Sequence, residues 1–134
     1  MEDVPAWTIL TLMTFVLISM IVVFGRAASG DNAVQAAAYA AARDASLSRG
    51  SDAVPHAIDA ANRALGGNVK CAALNVTLGG NGLSTGLGQT GTVTATVSCT
   101  VSYTDLVFPG VSGLPGSFTI SKTATSPVDP YRER

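Results

Sequence analysis

Two cysteines, one histidine and a few acids are the residues of this sequence with chemistry to offer. Cys71 and Cys99 make an even count in a chain with an export-like segment. That favours a disulfide made outside the cytoplasm; the alternative is a pair of buried free thiols. Cys99 lies on the apolar face of an alternating stretch, and Cys71 is expected to point inward on the strand before it. A bridge joining the two strands is therefore geometrically reasonable, and would stabilise the fold by about 3–4 kcal/mol on the chain-entropy account. Catalysis has less to draw on. His56 has no constellation around it and reads as an ordinary exposed helix residue. Asp44, Asp52, Asp59 and Asp105 are scattered near helix ends or turns, and none comes with a nucleophile or a base. There is no CxxC and no histidine pair, so no metal-ligand set is supplied. The glycine-rich stretch 79–91 (GGNGLSTGLGQTG) reads as a flexible loop. It is not a phosphate-binding loop, because no lysine follows the glycines and no helix stands behind them. Asn75-Val76-Thr77 matches a glycosylation sequon, a short and common match that reads as chance. The expectation is a protein that is not an enzyme and holds no cofactor.

One acidic pair is placed differently. Glu2 and Asp3 stand directly before an uncharged apolar run, residues 4–24, VPAWTILTLMTFVLISMIVVF. If that run packs among other copies rather than in lipid, an acid beside it needs a partner, because an unpaired buried charge is costly. The nearest available cation is the α-amino group of a neighbouring chain, with Glu2 the better placed of the two acids. Alternatively both acids lie at the headgroup level and cap the helix, where they suit the positive end of its dipole.

These residues must be positioned by a few elements. The apolar run has the length of a bilayer-spanning helix. Trp7 suits an interface level, and Trp7, Leu10, Phe15, Leu17, Ile21 and Phe24 are candidates for packing in a core of sister helices. Thr8, Thr11, Thr14 and Ser19 can bond to the helix's own carbonyls or across to a neighbour. An alanine-rich segment follows and continues the run as one long helix, residues 1–49. Gly25 and Gly30 each cost about 1 kcal/mol relative to alanine inside a helix, so a bend or a short unwound stretch is expected over 25–32. The other reading is that Asp31 or Asn32 caps a separate helix. Val34, Ala37, Ala41 and Ala45 recur at helical spacing, a small-residue face for intramolecular packing and for packing against copies of the chain.

Residues 50–134 are read as a small globular domain. A second helix is expected over 52–65, with Val54, Ala57, Ile58, Ala61 and Leu65 as its apolar stripe and an Asp59–Arg63 pair in support. Gly66-Gly67 is its stop. Strands are expected over about 68–78, 92–106 and 117–125. The second has the clearest alternation: Val93, Ala95, Val97, Cys99, Val101 and Tyr103 on one face, threonines and serines on the other. Residues 108–116 form a turn-rich connection, and Phe118 and Ile120 are expected inward on the third strand. The fold class is α+β: a long N-terminal helix, a short second helix and a three-stranded antiparallel sheet.

Composition narrows the function class. The net charge is −1 and only 13% of residues are charged, against about 25% in an average soluble domain. Much of the surface is then expected to be covered by membrane or by neighbouring copies. No basic patch points to nucleic acid. The run lacks the basic flank and cleavage site of a secretory signal, and Arg26 lies on its far side. The expectation is that a basic leader once preceded Met1 and was removed.

The order of parts resembles a known family. An acid, an apolar helix ending in Val-Val-Phe-Gly-Arg, an alanine-rich helix with Gln-Ala-Ala-Ala-Tyr-Ala-Ala-Ala-Arg, a short second helix and strands closing on Thr-Ala-Thr together look like the TadE-like pilins and pseudopilins of bacterial tight-adherence (Tad/Flp) type IV pili. The resemblance covers nearly the whole chain and rests on arrangement. It implies a precursor cut by a membrane prepilin peptidase, and assembly by a cytoplasmic ATPase and an inner-membrane platform. It implies a homo-oligomeric helical filament at the bacterial cell surface, with the subunit held in the membrane beforehand. Two departures stand out. Type IV pilins usually carry their assembly glutamate at the fifth mature position, and here Glu2 is second. The globular part is also fuller than in the smallest pilins of these systems. The alternatives are a minor pseudopilin outside the filament body, or a single-pass membrane-anchored binding module of the envelope.

Overall fold

The computed structural model describes residues 3–48, 50–67, 69–102 and 116–131. The element order is α1 (Asp3–Leu47), one 3-10 turn (Gly50–Asp52), α2 (Ala53–Leu65), β1 (Ala73–Gly79), β2 (Gly91–Ser102) and β3 (Ser117–Val128). This is the α+β layout expected from the sequence.

Leucine, methionine and alanine favour helix throughout α1, and no proline follows Pro5 within it. At about 1.5 Å per residue its 45 residues make a rod much longer than the domain at its end. The helix is continuous through residues 25–32. The unwound stretch expected there is absent, and neither Asp31 nor Asn32 starts a new helix. Space does not require glycine at either position. A Cβ on Gly25 would meet nothing within 4 Å, and one on Gly30 would make ordinary contact with Ile120 Cδ1 at 3.6 Å and Val69 Cγ2 at 3.8 Å.

The C-terminal part of α1 is the spine of the core. Val34, Ala37, Ala38, Ala41, Ala42 and Ala45 are buried against Ala53, Ala57, Ala61 and Leu65 of α2 and the inward residues of the sheet. Alanine on both sides brings the two helix backbones close, and that corrects the stripe expected on α2. Its buried face is Ala53, Ala57, Ala60, Ala61 and Leu65, while Val54 and Ile58 are exposed. A close helix pair has room for methyl groups at its centre, so the branched residues turn aside. Gly66, in the left-handed conformation at φ 54°, ends α2. Arg63 does not pair with Asp59 as expected. It reaches across to Asp44 Oδ2 of α1 at 3.5 Å.

The sheet is an antiparallel meander in the order β1-β2-β3. β2 is central, and its alternation holds: Val93, Ala95, Val97, Cys99 and Val101 are buried. Tyr103 and the rest of the strand expected to residue 106 lie outside the described residues, as does the connection over 108–115. β1 starts at Ala73 rather than near residue 68, and β3 runs on to Val128 rather than stopping at 125. On the outer face hydroxyls meet in register: Thr94–Thr125 at 3.3 Å, Thr96–Thr123 at 2.9 Å, Ser98–Ser121 at 3.0 Å and Thr100–Thr119 at 3.0 Å. Such cross-strand pairs add about 0.2–1 kcal/mol each.

The connection between β1 and β2 is more ordered than its glycine content suggested. Gly82 N donates to Thr92 O at 2.9 Å, Thr92 N to Asn81 Oδ1 at 3.2 Å, and Gly88 N to Pro130 O at 2.7 Å. Gly80 sits at φ 93°, and a Cβ there would strike the Thr92 carbonyl. These glycines serve close backbone approach.

Candidate functional site

The surface that calls for an explanation is the N-terminal part of α1. Trp7, Leu10, Phe15, Leu17, Ile21 and Phe24, the six residues singled out from the sequence, are each more than half exposed. So are Ile9, Leu12, Met13, Val16, Ile18 and Met20. At about 100° per residue, Leu10, Leu17, Ile21 and Phe24 form one stripe, Trp7 adjoins it, and Phe15 points to another side. The six therefore do not make a face of their own: the segment is apolar in every direction. A helix of that kind belongs in a membrane or in the interior of an assembly. It is long and apolar enough to cross a bilayer, and none of its most apolar stretch is buried by the chain itself.

Its polar atoms are already satisfied. Thr11 Oγ1 donates to Thr8 O at 2.9 Å, Thr14 Oγ1 to Leu10 O at 2.8 Å and Ser19 Oγ to Phe15 O at 2.9 Å. Of the two uses open to these hydroxyls, the structure shows the one within the helix. They need neither water nor a neighbour, which suits an apolar solvent. Asp3 is in the helix; Glu2 lies outside the described residues, so its pairing role is left to experiment.

Several of the remaining chemical candidates have structural partners. Cys71 and Cys99 form a disulfide with Cα atoms 5.3 Å apart. Cys99 is fully buried, while Cys71 precedes β1 and is half-buried. The bridge thus ties the segment leaving α2 to the central strand, where a strand-to-strand staple had been expected. Asp31 Oδ1 receives Lys122 Nζ at 2.8 Å, joining α1 to β3. Asp129 Oδ1 accepts from Tyr131 N at 3.0 Å in the closing turn. His56 is exposed on α2, and Asn75 is exposed on β1. An open groove of about 470 Å³ between α1 and α2 is lined by Arg43, Asp44, Leu47 and Arg63 with Ala40, Ala60 and Ala64, and the Arg63–Asp44 pair crosses it. No group of three or more histidine, cysteine or acidic side chains able to hold a metal occurs among the described residues.

The height at which the domain begins was not legible in the sequence. Val23 and Ala27 are half-buried and Gly30 and Val34 buried, at three- and four-residue intervals. The fully buried face of α1 therefore starts at Gly30, where Ile120 and Val69 lie opposite. Ser46 Oγ, near the other end, meets Ser126 Oγ at 3.1 Å, so β3 and α1 run in the same direction from Ile120 beside Gly30 to Ser126 beside Ser46.

Compared with protein-family models, with curated proteins and with solved structures, the chain matches none.

Proposed function

We propose that this chain is a structural subunit of an extracellular filament of the type IV, Tad-like kind, polymerising through the N-terminal part of α1. The observation that carries the reading is the contrast along that helix. Its C-terminal part is the core of the domain, while the N-terminal part is apolar on all sides and exposed among the described residues. Before assembly this segment sits in the membrane; in the filament the same residues pack with sister helices, and the β domains lie outside. Internal bonding of Thr11, Thr14 and Ser19 makes the segment compatible with both surroundings. The disulfide suits a domain working outside the cytoplasm. A homo-oligomer, a prepilin peptidase and an inner-membrane assembly platform are the partners this function requires.

The test is negative-stain electron microscopy of material sheared from producing cells, with antibody against the domain. Label along thin filaments is the expected result. Label confined to tips or bases would make the chain a minor pseudopilin. Absence of filaments, with all the chain in the membrane fraction, would replace the reading by that of an anchored binding module. In the same assay Glu2→Ala is expected to cut filament yield while membrane insertion stays intact; normal yield would remove the charge-pairing role of Glu2.

A further inference from the structure

The end of the domain from which the apolar helix emerges carries both lysines of the chain. Lys70 is exposed, next to Val69, whose Cγ2 would lie 3.8 Å from a Cβ on Gly30. Lys122 is held by Asp31 one residue beyond Gly30. Arg26 is exposed one turn before Gly30, at the end of the apolar run. The opposite end, around the turn between α1 and α2, mixes Asp44, Asp52 and Asp129, the last just after β3, with Arg43 and Arg63. Among the described residues cations are therefore in excess where the apolar helix leaves the domain, and close to balanced by acids at the far end.

Helix geometry sets how close that end comes to a bilayer. From Phe24, the last residue of the apolar run, to Gly30 is about 9 Å along the axis. The headgroup layer on one side of a bilayer is about 5–7 Å thick. β3 continues from Ile120, beside Gly30, through half-buried Phe118 to Ser117. At about 3.3 Å per residue that adds roughly 10 Å toward the apolar run. With the run in the hydrocarbon, this end of the domain has no water layer in which to stand clear of the headgroups.

We infer that the helix-exit end of the domain docks on an anionic bilayer surface, with Lys70 and Arg26 against lipid phosphates. This rests on the reading that the apolar run spans a bilayer before assembly. The geometry demands contact, and the charge chooses the lipid: two exposed cations meet the surface, and the one described acid at this level, Asp31, is already paired with Lys122. Docking holds the domain in one orientation on the membrane until the helix is withdrawn. Extraction into a filament then breaks lipid contacts of the domain as well as those of the helix.

The experiment uses the full chain inserted into vesicles of phosphatidylcholine alone, or of phosphatidylcholine with phosphatidylglycerol. Both lysines are acetylated by a water-soluble amine reagent and the sites are read by mass spectrometry. Lys122, two strand positions further from the exit end than Ile120 and paired with Asp31, is the internal reference. Acetylation of Lys70 relative to Lys122 is expected to fall about fivefold on anionic vesicles, and high salt is expected to restore it. Equal Lys70 reactivity on both vesicles, with the chain still resistant to carbonate extraction, would overturn the docking and leave the span standing. Protection on both vesicles that grows with the protein-to-lipid ratio would assign this end to a second copy and overturn the docking too. Loss of the chain to carbonate would show that the run does not span, and the docking would fall with it.

Discussion

The two parts of α1 meet opposite surroundings with opposite side chains. From Gly30 to Ala45 the buried face is glycine, valine and alanine, and the chain's own second helix and sheet press against it. From Trp7 to Phe24 large apolar side chains point in every direction, with Thr8, Thr11, Thr14 and Ser19 set among them, and the described residues cover almost none of the segment. Small residues fix one close neighbour at one distance. Large residues all round accept any apolar neighbour, which is what a segment needs if its solvent is first lipid and later protein. One helix thus combines a specific interface with a permissive one.

The sharpest way to break this comparison is to place the same charge in each part. Ala41 is fully buried, so Ala41→Asp leaves an unpaired charge in the core and is expected to cost at least about 3 kcal/mol of domain stability. Phe15→Asp, in the middle of the apolar run, is expected to leave domain unfolding within about 0.5 kcal/mol of the parent, as at a surface site. It should instead raise the cost of membrane insertion by about 3 kcal/mol. Thermal melts in detergent and carbonate extraction from membranes separate the two effects. If Phe15→Asp lowered the melting temperature as much as Ala41→Asp does, the uncovered part would belong to the domain core after all.

The second test is confined to the domain. Cys71→Ala with Cys99→Ala opens a loop of 28 residues in sequence separation and is expected to cost about 3–4 kcal/mol. Denaturant melts of parent and variant, each in the presence and absence of reductant, measure it. Reductant should lower the parent toward the variant and leave the variant unmoved. An equally large reductant effect on the variant would assign the loss to something other than the bridge.

The same division explains what could be read from the sequence and what could not. The apolar run and the alternation of β2 are local patterns, and they carried helix, strand and fold class correctly. Burial of Cys99 followed from the same alternation. The face of α2 followed only in part: Ala57, Ala61 and Leu65 are buried as expected, but its exact centre depends on what α2 meets. Val54 and Ile58 are the larger apolar residues, yet against the alanine surface of α1 it is Ala53 and Ala60 that are buried in their place. Arg63 likewise has a partner four residues away in Asp59 and takes Asp44, which tertiary packing brings near. The hydroxyl pairs of β2 and β3 needed the register between strands, which alternation alone does not give. Nothing in the sequence stated how far the domain descends along the helix, since that height is fixed by where Ile120 and Val69 meet Gly30.

The smallest effect concerns the two glycines at the junction of the parts. Both are helical, and neither is needed to make room. Gly30→Ala places a methyl group at ordinary contact distance from Ile120 and Val69, so the helix gains without a clash. The expected gain is about 1 kcal/mol for Gly30→Ala. It should be smaller in domain melts for Gly25→Ala, which lies at the end of the uncovered segment, and appear there as added amide protection. If filament growth draws on the weakness of this stretch, the doubly substituted chain will be the more stable monomer and the poorer polymer. Domain melts and the yield of sheared filaments, compared on the same preparations, decide it. Unchanged yield with raised stability would mean that α1 stays helical through the junction in both states, and that the permissive part of the helix meets its sister helices without any change at its boundary with the specific one.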